Sequence, residues 1–144
     1  MLAANMMNAD FRRLSPSQTA LDALDLCRAE RAALLPVVGE GDRLIGVVSA
    51  YALVKEVLSN GRSPDAPEFM RNIDGLAVKK VGDIIEKGFL SVLPDAPAAQ
   101  VAALFLDAAP GVETIFVLDN GARLLGVITL WDFFKRLSAY AEKA

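Results

Sequence analysis

The chain has 144 residues, with 15 lysines and arginines against 18 aspartates and glutamates, a formal charge of −3. No basic run is present, which excludes the electrostatic footprint of a nucleic-acid-binding surface. There is no histidine and one cysteine, which excludes an intrachain disulfide and any His/Cys zinc constellation and removes the commonest general base.

The length suits one ordinary domain or two very small ones, able to bury roughly 68–70% of the unfolded surface without staples. Hydrophobic residues make up 53%, and mean hydropathy is +0.35. Two small units packed on each other, or on a second molecule, would use that excess. No apolar run approaches the ~18 residues of a membrane span. Met1-Leu2-Ala3-Ala4-Asn5 lacks the basic-then-apolar start of a secretory signal, so the expectation is a cytoplasmic protein without membrane contact.

In chain order, a short segment, Ala9–Leu14, reaches Pro16. A helix is predicted over Thr19–Ala29, with Thr19 as N-cap, Asp22 three residues on, and Leu21, Leu24 and Cys27 on one apolar stripe. The apolar runs Leu34–Val38 and Leu44–Val48 flank the turn Glu40-Gly41-Asp42. A helix follows over Ala50–Leu58. Residues 60–80 read as a linker: it opens with Asn60-Gly61-Arg62-Ser63-Pro64, and Phe69, Met70, Ile73 and Leu76 then suggest a short helix or ordered connector. The pattern begins again with Gly88–Leu93 before Pro94 and a helix over Pro97–Ala108, where proline suits a first turn. The runs Thr114–Leu118 and Leu124–Ile128 flank Asp119-Asn120-Gly121, and a helix over Leu130–Ala141 closes the chain. Asn-Gly between apolar runs signals a type I′ turn, with positive φ at both positions. Gly41 and Gly121 hold matching places, so both hairpins are expected to turn alike.

The chain therefore repeats itself. Leu35–Leu58 aligns with Ile115–Ser138 at an offset of 80, with seven identical pairs: Val37/Val117, Gly41/Gly121, Arg43/Arg123, Leu44/Leu124, Gly46/Gly126, Val47/Val127 and Lys55/Lys135. Upstream the offset is 78, placing two extra residues of the second copy around Ala109-Pro110-Gly111-Val112. Each copy is one supersecondary unit, of order β–α–β–β–α. The expected organisation is a first unit at 3–59, the linker at 60–80 and a second unit at 81–144: an α+β fold whose units bury one sheet face each and share a pseudo-twofold axis.

Paired β–α–β–β–α units, each with Gly-h-h-Ser/Thr on the second hairpin strand entering a helix, resemble tandem CBS domains, the Bateman module. The resemblance covers nearly the whole chain. It implies a module whose clefts between the two units bind adenosine-containing ligands: AMP, ADP, ATP, S-adenosylmethionine and relatives. In the family's Gly-h-x-Thr-x-x-Asp signature the aspartate takes the ribose hydroxyls and the threonine lies near ribose or phosphate. Those roles fall on Asp132 and Thr129. The adenine would lie against Leu90, Ser91 and Val92 and the hairpin start, Thr114 to Phe116. The resemblance also implies a homodimer with the closing helices at its seam and, as no effector domain is attached, output through an unknown protein partner or an oligomer. No cofactor, metal or catalytic residue is expected, and with no nucleophile-and-base pair in view an enzyme is disfavoured. The alternative is a ligand-free pair serving only assembly.

Elementary chemistry supports both readings of Asp132. An ionised carboxylate accepts from two neighbouring hydroxyls at once, which suits a ribose diol, and a helix N-terminus attracts phosphate. Yet Thr-x-x-Asp is also a capping pattern, worth ~0.3–1 kcal/mol through the helix dipole. The first copy has Ser49 but Ala52 where the acid would be, which reads as a degraded ribose site and predicts one adenosine site per chain. Cys27 aligns with Phe105 and reads as a small buried hydrophobe. Arg12, Arg13, Lys55, Arg123, Lys135 and Arg136 read as solvated faces before phosphate contacts. Tyr51 and Trp131, also aligned, suit stacking on a base or a dimer seam, but read first as packing between helices. Leu130, Trp131, Phe133 and Phe134 give the last helix too much apolar surface for one face, pointing to burial on both sides.

Overall fold

The computed structural model describes residues 1–108 and 113–143; the predicted insertion around Ala109–Val112 lies outside them. The elements are α1 (Ala3–Met6), α2 (Ala20–Glu30), β1 (Leu34–Val38), β2 (Leu44–Ser49), α3 (Ala50–Val57), α4 (Ala66–Gly75), β3 (Ser91–Val92), α5 (Ala98–Asp107), β4 (Thr114–Leu118), β5 (Leu124–Thr129) and α6 (Leu130–Lys143). Local chemistry sets the helix starts as read. Thr19 and Asp22 close a reciprocal capping box on α2 at 2.9 and 3.1 Å, and Ser49 accepts the Ala52 N–H at 3.0 Å to start α3. The ordered connector is α4, capped by Asp65 through the Glu68 N–H at 2.9 Å.

The chain forms two compact units that interleave the sequence repeats. One contains residues 1–11, 41–44 and 89–144 and is called here the β4–β5 unit; the other contains 12–40 and 45–88, the β1–β2 unit. In the β4–β5 unit, β3 runs parallel to β4 with Ser91 opposite Phe116 and Val92 opposite Val117. Antiparallel β5 places Thr129 opposite Thr114. The free edge of β5 is closed by Asn8, which exchanges hydrogen bonds of 2.8 and 3.0 Å with Val127. The β1–β2 unit repeats this arrangement at the expected offsets. Leu14 pairs parallel with Val37, through 2.9 Å bonds to Pro36 and Val38, and Glu86 exchanges two 2.8 Å bonds with Val47 on β2.

Alternation along the strands puts one sheet face of each unit into a core. In the β4–β5 unit Val92, Val101, Ile115, Val117, Ile128 and Phe133 pack together. In the β1–β2 unit Leu14, Leu35, Val37, Val48 and Leu53 do so, joined by Leu76. Leu76 belongs to the 60–80 stretch, which is thus built into this unit's core.

The turns depart from expectation in one respect. At the matching glycines, only Gly41 has positive φ (66°), and the shared left-handed position is the next residue, Asp42 (60°) and Ala122 (65°). In the second hairpin Asp119 decides this: its Oδ1 accepts the N–H groups of Gly121 and Arg123, both at 2.9 Å, pulling the turn one residue along. The type I′ pattern of two positive φ angles occurs instead at Asn60-Gly61 (51° and 77°), where Ser59 and Arg62 exchange two 3.0 Å bonds.

The identical pair Gly46/Gly126 is explained by close approach. A Cβ on Gly46 would stand 2.4 Å from Ile85 Cγ1 and 2.7 Å from the Glu86 carbonyl oxygen; on Gly126 it would stand 2.6 Å from Met7 Sδ. Gly46→Ala is expected to cost about 2–3 kcal/mol, because backbone must move. Gly126→Ala should cost less, since a methionine side chain can yield. Ala122→Gly is expected to gain about 0.5–1 kcal/mol, the left-handed penalty on alanine less the added entropy of the unfolded glycine. Urea unfolding of the three variants reads all these signs; equal losses at Gly46 and Gly126 would refute the close-approach account.

Candidate functional site

All seven residues expected at the ligand site lie in the β4–β5 unit, on three neighbouring strands, at Leu90 just before β3, and in the first turn of α6. Alternation divides them. Ser91, Thr114, Phe116 and Thr129 lie on the sheet face opposite the helices, because Ser91 pairs with Phe116 and Thr114 with Thr129 while Val92, Ile115, Val117 and Ile128 point into the core. Val92 is buried there, and Leu90 packs against the same cluster. Leu90 contributes its backbone: its carbonyl oxygen accepts the Phe116 N–H at 2.9 Å. Phe116 is fully buried, with the Phe89 ring edge-on at 5.9 Å. Its N–H is spent on Leu90 and its side chain is covered, whereas Ser91 is exposed and Thr114 is half-buried.

Thr129 and Asp132 are brought together where β5 becomes α6. Asp132 Oδ2 accepts both the Thr129 N–H and the Thr129 hydroxyl at 2.9 Å, and Thr129 Oγ1 accepts the Asp132 N–H at 3.2 Å. The pair is thus a closed capping box. One carboxylate oxygen does all of this work; Oδ1 takes no hydrogen bond from the described residues. A carboxylate has about four acceptor positions, so two remain at Oδ1 for a pair of adjacent hydroxyls. Capping and diol recognition use different oxygens of the same residue and do not compete.

The other repeat holds a feature that the alignment of Ala52 with Asp132 hides. Ser49 Oγ caps α3 and also donates to Glu86 Oε1 at 3.1 Å. Glu86 is fixed there by its backbone pairing with Val47. The β1–β2 unit therefore does have a carboxylate at its strand end, delivered by the edge segment. The residue equivalent to Glu86 in the β4–β5 unit is Asn8, whose side chain instead accepts the Asp10 N–H at 2.9 Å. The acid has changed elements between the repeats, and a comparison of aligned hairpins alone is blind to that.

Among the basic residues, Arg12 pairs with Glu30 at 3.0 Å and Arg136 donates to the Asn5 carbonyl oxygen. Tyr51 and Trp131 are 77% and 71% exposed, so neither packs between helices of this chain as expected. Cys27 is half-buried, and burial pushes its thiol pKa up, away from thiolate character. The described residues contain no cluster of metal-ligating side chains and no helix long and apolar enough to cross a membrane.

The model of the CBS domain matches residues 3–59 and 81–139. The chain belongs to the CBS domain family. As a CBS pair it is similar to the crystal structure of CBSX2 from Arabidopsis thaliana, with 24% identity, a TM-score of 0.81, and coverage of 99% of this chain and 98% of that one. It is also similar to CBSX2 in complex with AMP, at 23% identity and a TM-score of 0.76, over 97% and 98% of the two chains. In sequence it is 28% identical over 127 residues to inosine-5'-monophosphate dehydrogenase of Methanocaldococcus jannaschii, covering 88% of this CBS pair and 22% of that protein. An uncharacterized protein of Methanopyrus kandleri is 25% identical over 121 residues, 84% of this chain and 55% of the relative. The chain thus spans 22% and 55% of the lengths of these last two sequence relatives.

The Asp132 box sets a stability effect that needs no ligand. Asp132→Ala removes an acceptor from both the Thr129 N–H and its hydroxyl, and is expected to cost about 1 kcal/mol; Asp132→Asn, which keeps one acceptor oxygen for the N–H, should recover part of it. Thermal unfolding of the ligand-free protein checks this, and an unchanged midpoint for Asp132→Ala would show that the box does not hold the helix start.

Proposed function

We propose that this CBS pair is a regulatory, non-catalytic module that binds an adenosine-containing ligand at the β4–β5 unit. The observation that carries the reading is the division of labour at Asp132, whose Oδ2 is spent on Thr129 while Oδ1 stays open beside the N-terminus of α6. The open oxygen suits the two ribose hydroxyls, and the positive end of the helix suits a phosphate. Ser91 and Thr114 share one sheet face for the base, with Phe116 buried on it between them. The AMP complex of a protein with this fold supports the ligand class. Regulation then follows from linkage: the ligand shifts the module between states only by the difference in its affinity for them. Output passes through a partner protein or a second copy, and self-association as a homodimer is part of this reading. Trp131, Phe134, Leu137 and Tyr140 leave α6 with a row of side chains 43–71% exposed, which a monomer in water would leave unburied.

The closed capping box also fits a module that serves assembly alone. Calorimetric titration of AMP, ATP and S-adenosylmethionine separates the two. Binding to wild type, weakened tenfold or more in Asp132→Asn below its unfolding temperature, is the expected result. No heat with any of the three leaves assembly as the function, and undiminished binding in Asp132→Asn removes Asp132 from the site.

A further inference from the structure

The two hairpin turns end alike. Asp42 and Ala122 both take the left-handed conformation, and each is followed by an arginine, Arg43 and Arg123. The two arginines are one of the seven identities between the repeats. Residues 41–44 belong to the β4–β5 unit, and within it Arg43 lies opposite Arg123 as an antiparallel pair. The bond beside them runs from the Leu44 N–H to the Ala122 carbonyl oxygen at 3.0 Å. The Arg123 backbone is spent on Asp119: its carbonyl oxygen accepts the Asp119 N–H at 3.0 Å, and its N–H donates to Asp119 Oδ1 at 2.9 Å. Arg43 and Arg123 therefore form an opposed pair without backbone bonds of its own. Such pairs stand closest, with Cβ atoms about 4.5–5.5 Å apart and both side chains on one face.

Like charges directly opposed across a strand pair are destabilising. Both arginines are exposed, and among the described residues neither guanidinium forms a hydrogen bond or an ion pair. Asp119, the acid of the same turn, is committed to backbone: its Oδ1 holds the N–H groups of Gly121 and Arg123. Two planar forks rooted on one face at this spacing can close on one phosphate. Each guanidinium donates two parallel N–H···O bonds, and a dianion offsets both charges at once. This end of the hairpin is remote from Asp132. Arg123 and Thr129 are six positions apart along β5, roughly 20 Å at about 3.3 Å per residue.

We infer that Arg43 and Arg123 form a binding site for a phosphate dianion, free or as an exposed monoester, at the end of the β4–β5 hairpin away from Asp132. The anion turns a repulsive pair into a clamp that ties residues 41–44 to the hairpin end. Each repeat contributes one arginine, so neither repeat carries the site alone. The site is independent of any ligand at Asp132.

A phosphate titration of the full chain at constant ionic strength, held with chloride, tests it through the arginine Nε–Hε signals in NMR. Those of Arg43 and Arg123 are expected to move together with one dissociation constant. Arg43→Gln and Arg123→Gln should each raise that constant at least fivefold. The double variant should fall well short of the product of the two effects, because both changes break one site. Glycerol 3-phosphate separates the sources: a response to both compounds marks a site open to esters, and a response to inorganic phosphate alone a site for the free ion, either supporting the pair. Thermal unfolding supplies an independent sign. In dilute chloride Arg43→Gln is expected to raise the midpoint by about 1–3 °C, as the repulsion is lifted. Added phosphate should then raise the wild-type midpoint more than that of either variant. Signals that move no further in phosphate than in chloride, or an undiminished phosphate response in both glutamine variants, overturn the site. A fall in the chloride midpoint of Arg43→Gln overturns the repulsion on which it rests.

Discussion

The architecture depends on two places where an edge segment passes a strand glycine with no room for a Cβ, the obstacle being Ile85 and the Glu86 carbonyl oxygen at Gly46 and the Met7 side chain at Gly126. At Gly46 and Gly126 the edge segments Ile85–Glu86 and Met7–Asn8 come so close that a Cβ would meet them at 2.4–2.6 Å. The missing Cβ at Gly46 leaves room for Glu86 to complete its hydrogen-bond exchange with β2, and the one at Gly126 leaves room for the Met7 side chain beside the Asn8 exchange with β5. That exchange closes two exposed sheet edges, which are liabilities in any small sheet. It also decides which residues belong to which compact unit, since each edge segment precedes one sequence repeat and serves the hairpin of the other.

This explains which parts of the fold were legible in the sequence. The helices, the hairpin strands and the caps at Thr19 and Ser49 follow from local patterns, whose physics acts over a few residues. The two offsets make the parallel pairing of Leu14 with Val37 equivalent to that of Val92 with Val117, but the pairing itself comes from the structure. The edge pairing is not legible either, because Gly46 and Gly126 look like ordinary strand glycines and nothing in residues 7–8 or 85–86 names the hairpin they close. The turns show the same limit at smaller scale. Asn120-Gly121 has the composition of a type I′ turn, but the Asp119 side chain outcompetes it by bonding two N–H groups.

The site was legible to a similar depth. Thr129 and Asp132 were placed together by the Thr-x-x-Asp spacing, whereas the shared face of Thr114 and Ser91 follows from the register of β3, β4 and β5, which no local pattern states. Phe116 was named by the resemblance alone, and its full burial depends on packing that no local pattern shows. The alternative of cap or ligand contact for Asp132 loses its force once the two oxygens are distinguished. A helix cap and a diol acceptor need different lone pairs, and one ionised carboxylate has enough for both.

The repeat departs from symmetry in two ways that share a physical logic. At the strand ends, the acid sits on the helix in one unit, as Asp132, and on the edge segment in the other, as Glu86; each satisfies the same kind of hydroxyl, on Thr129 or Ser49. Under the helices, the rings of Phe105 and Phe133 fill one unit while Cys27 and Leu53 leave the other open. Duplicated units need equal backbones, because the sheet, the parallel pairing and the glycine passages allow little variation. They do not need equal side chains, and whatever one copy supplies from a given position the other can supply from an adjacent element. A carboxylate is small and directional, so its substitute had to come from within hydrogen-bond reach, on the segment already paired with β2. Apolar volume is not directional, so the missing rings impose no such limit, and the space beside Cys27 and Leu53 stays open as a groove between α2 and α3.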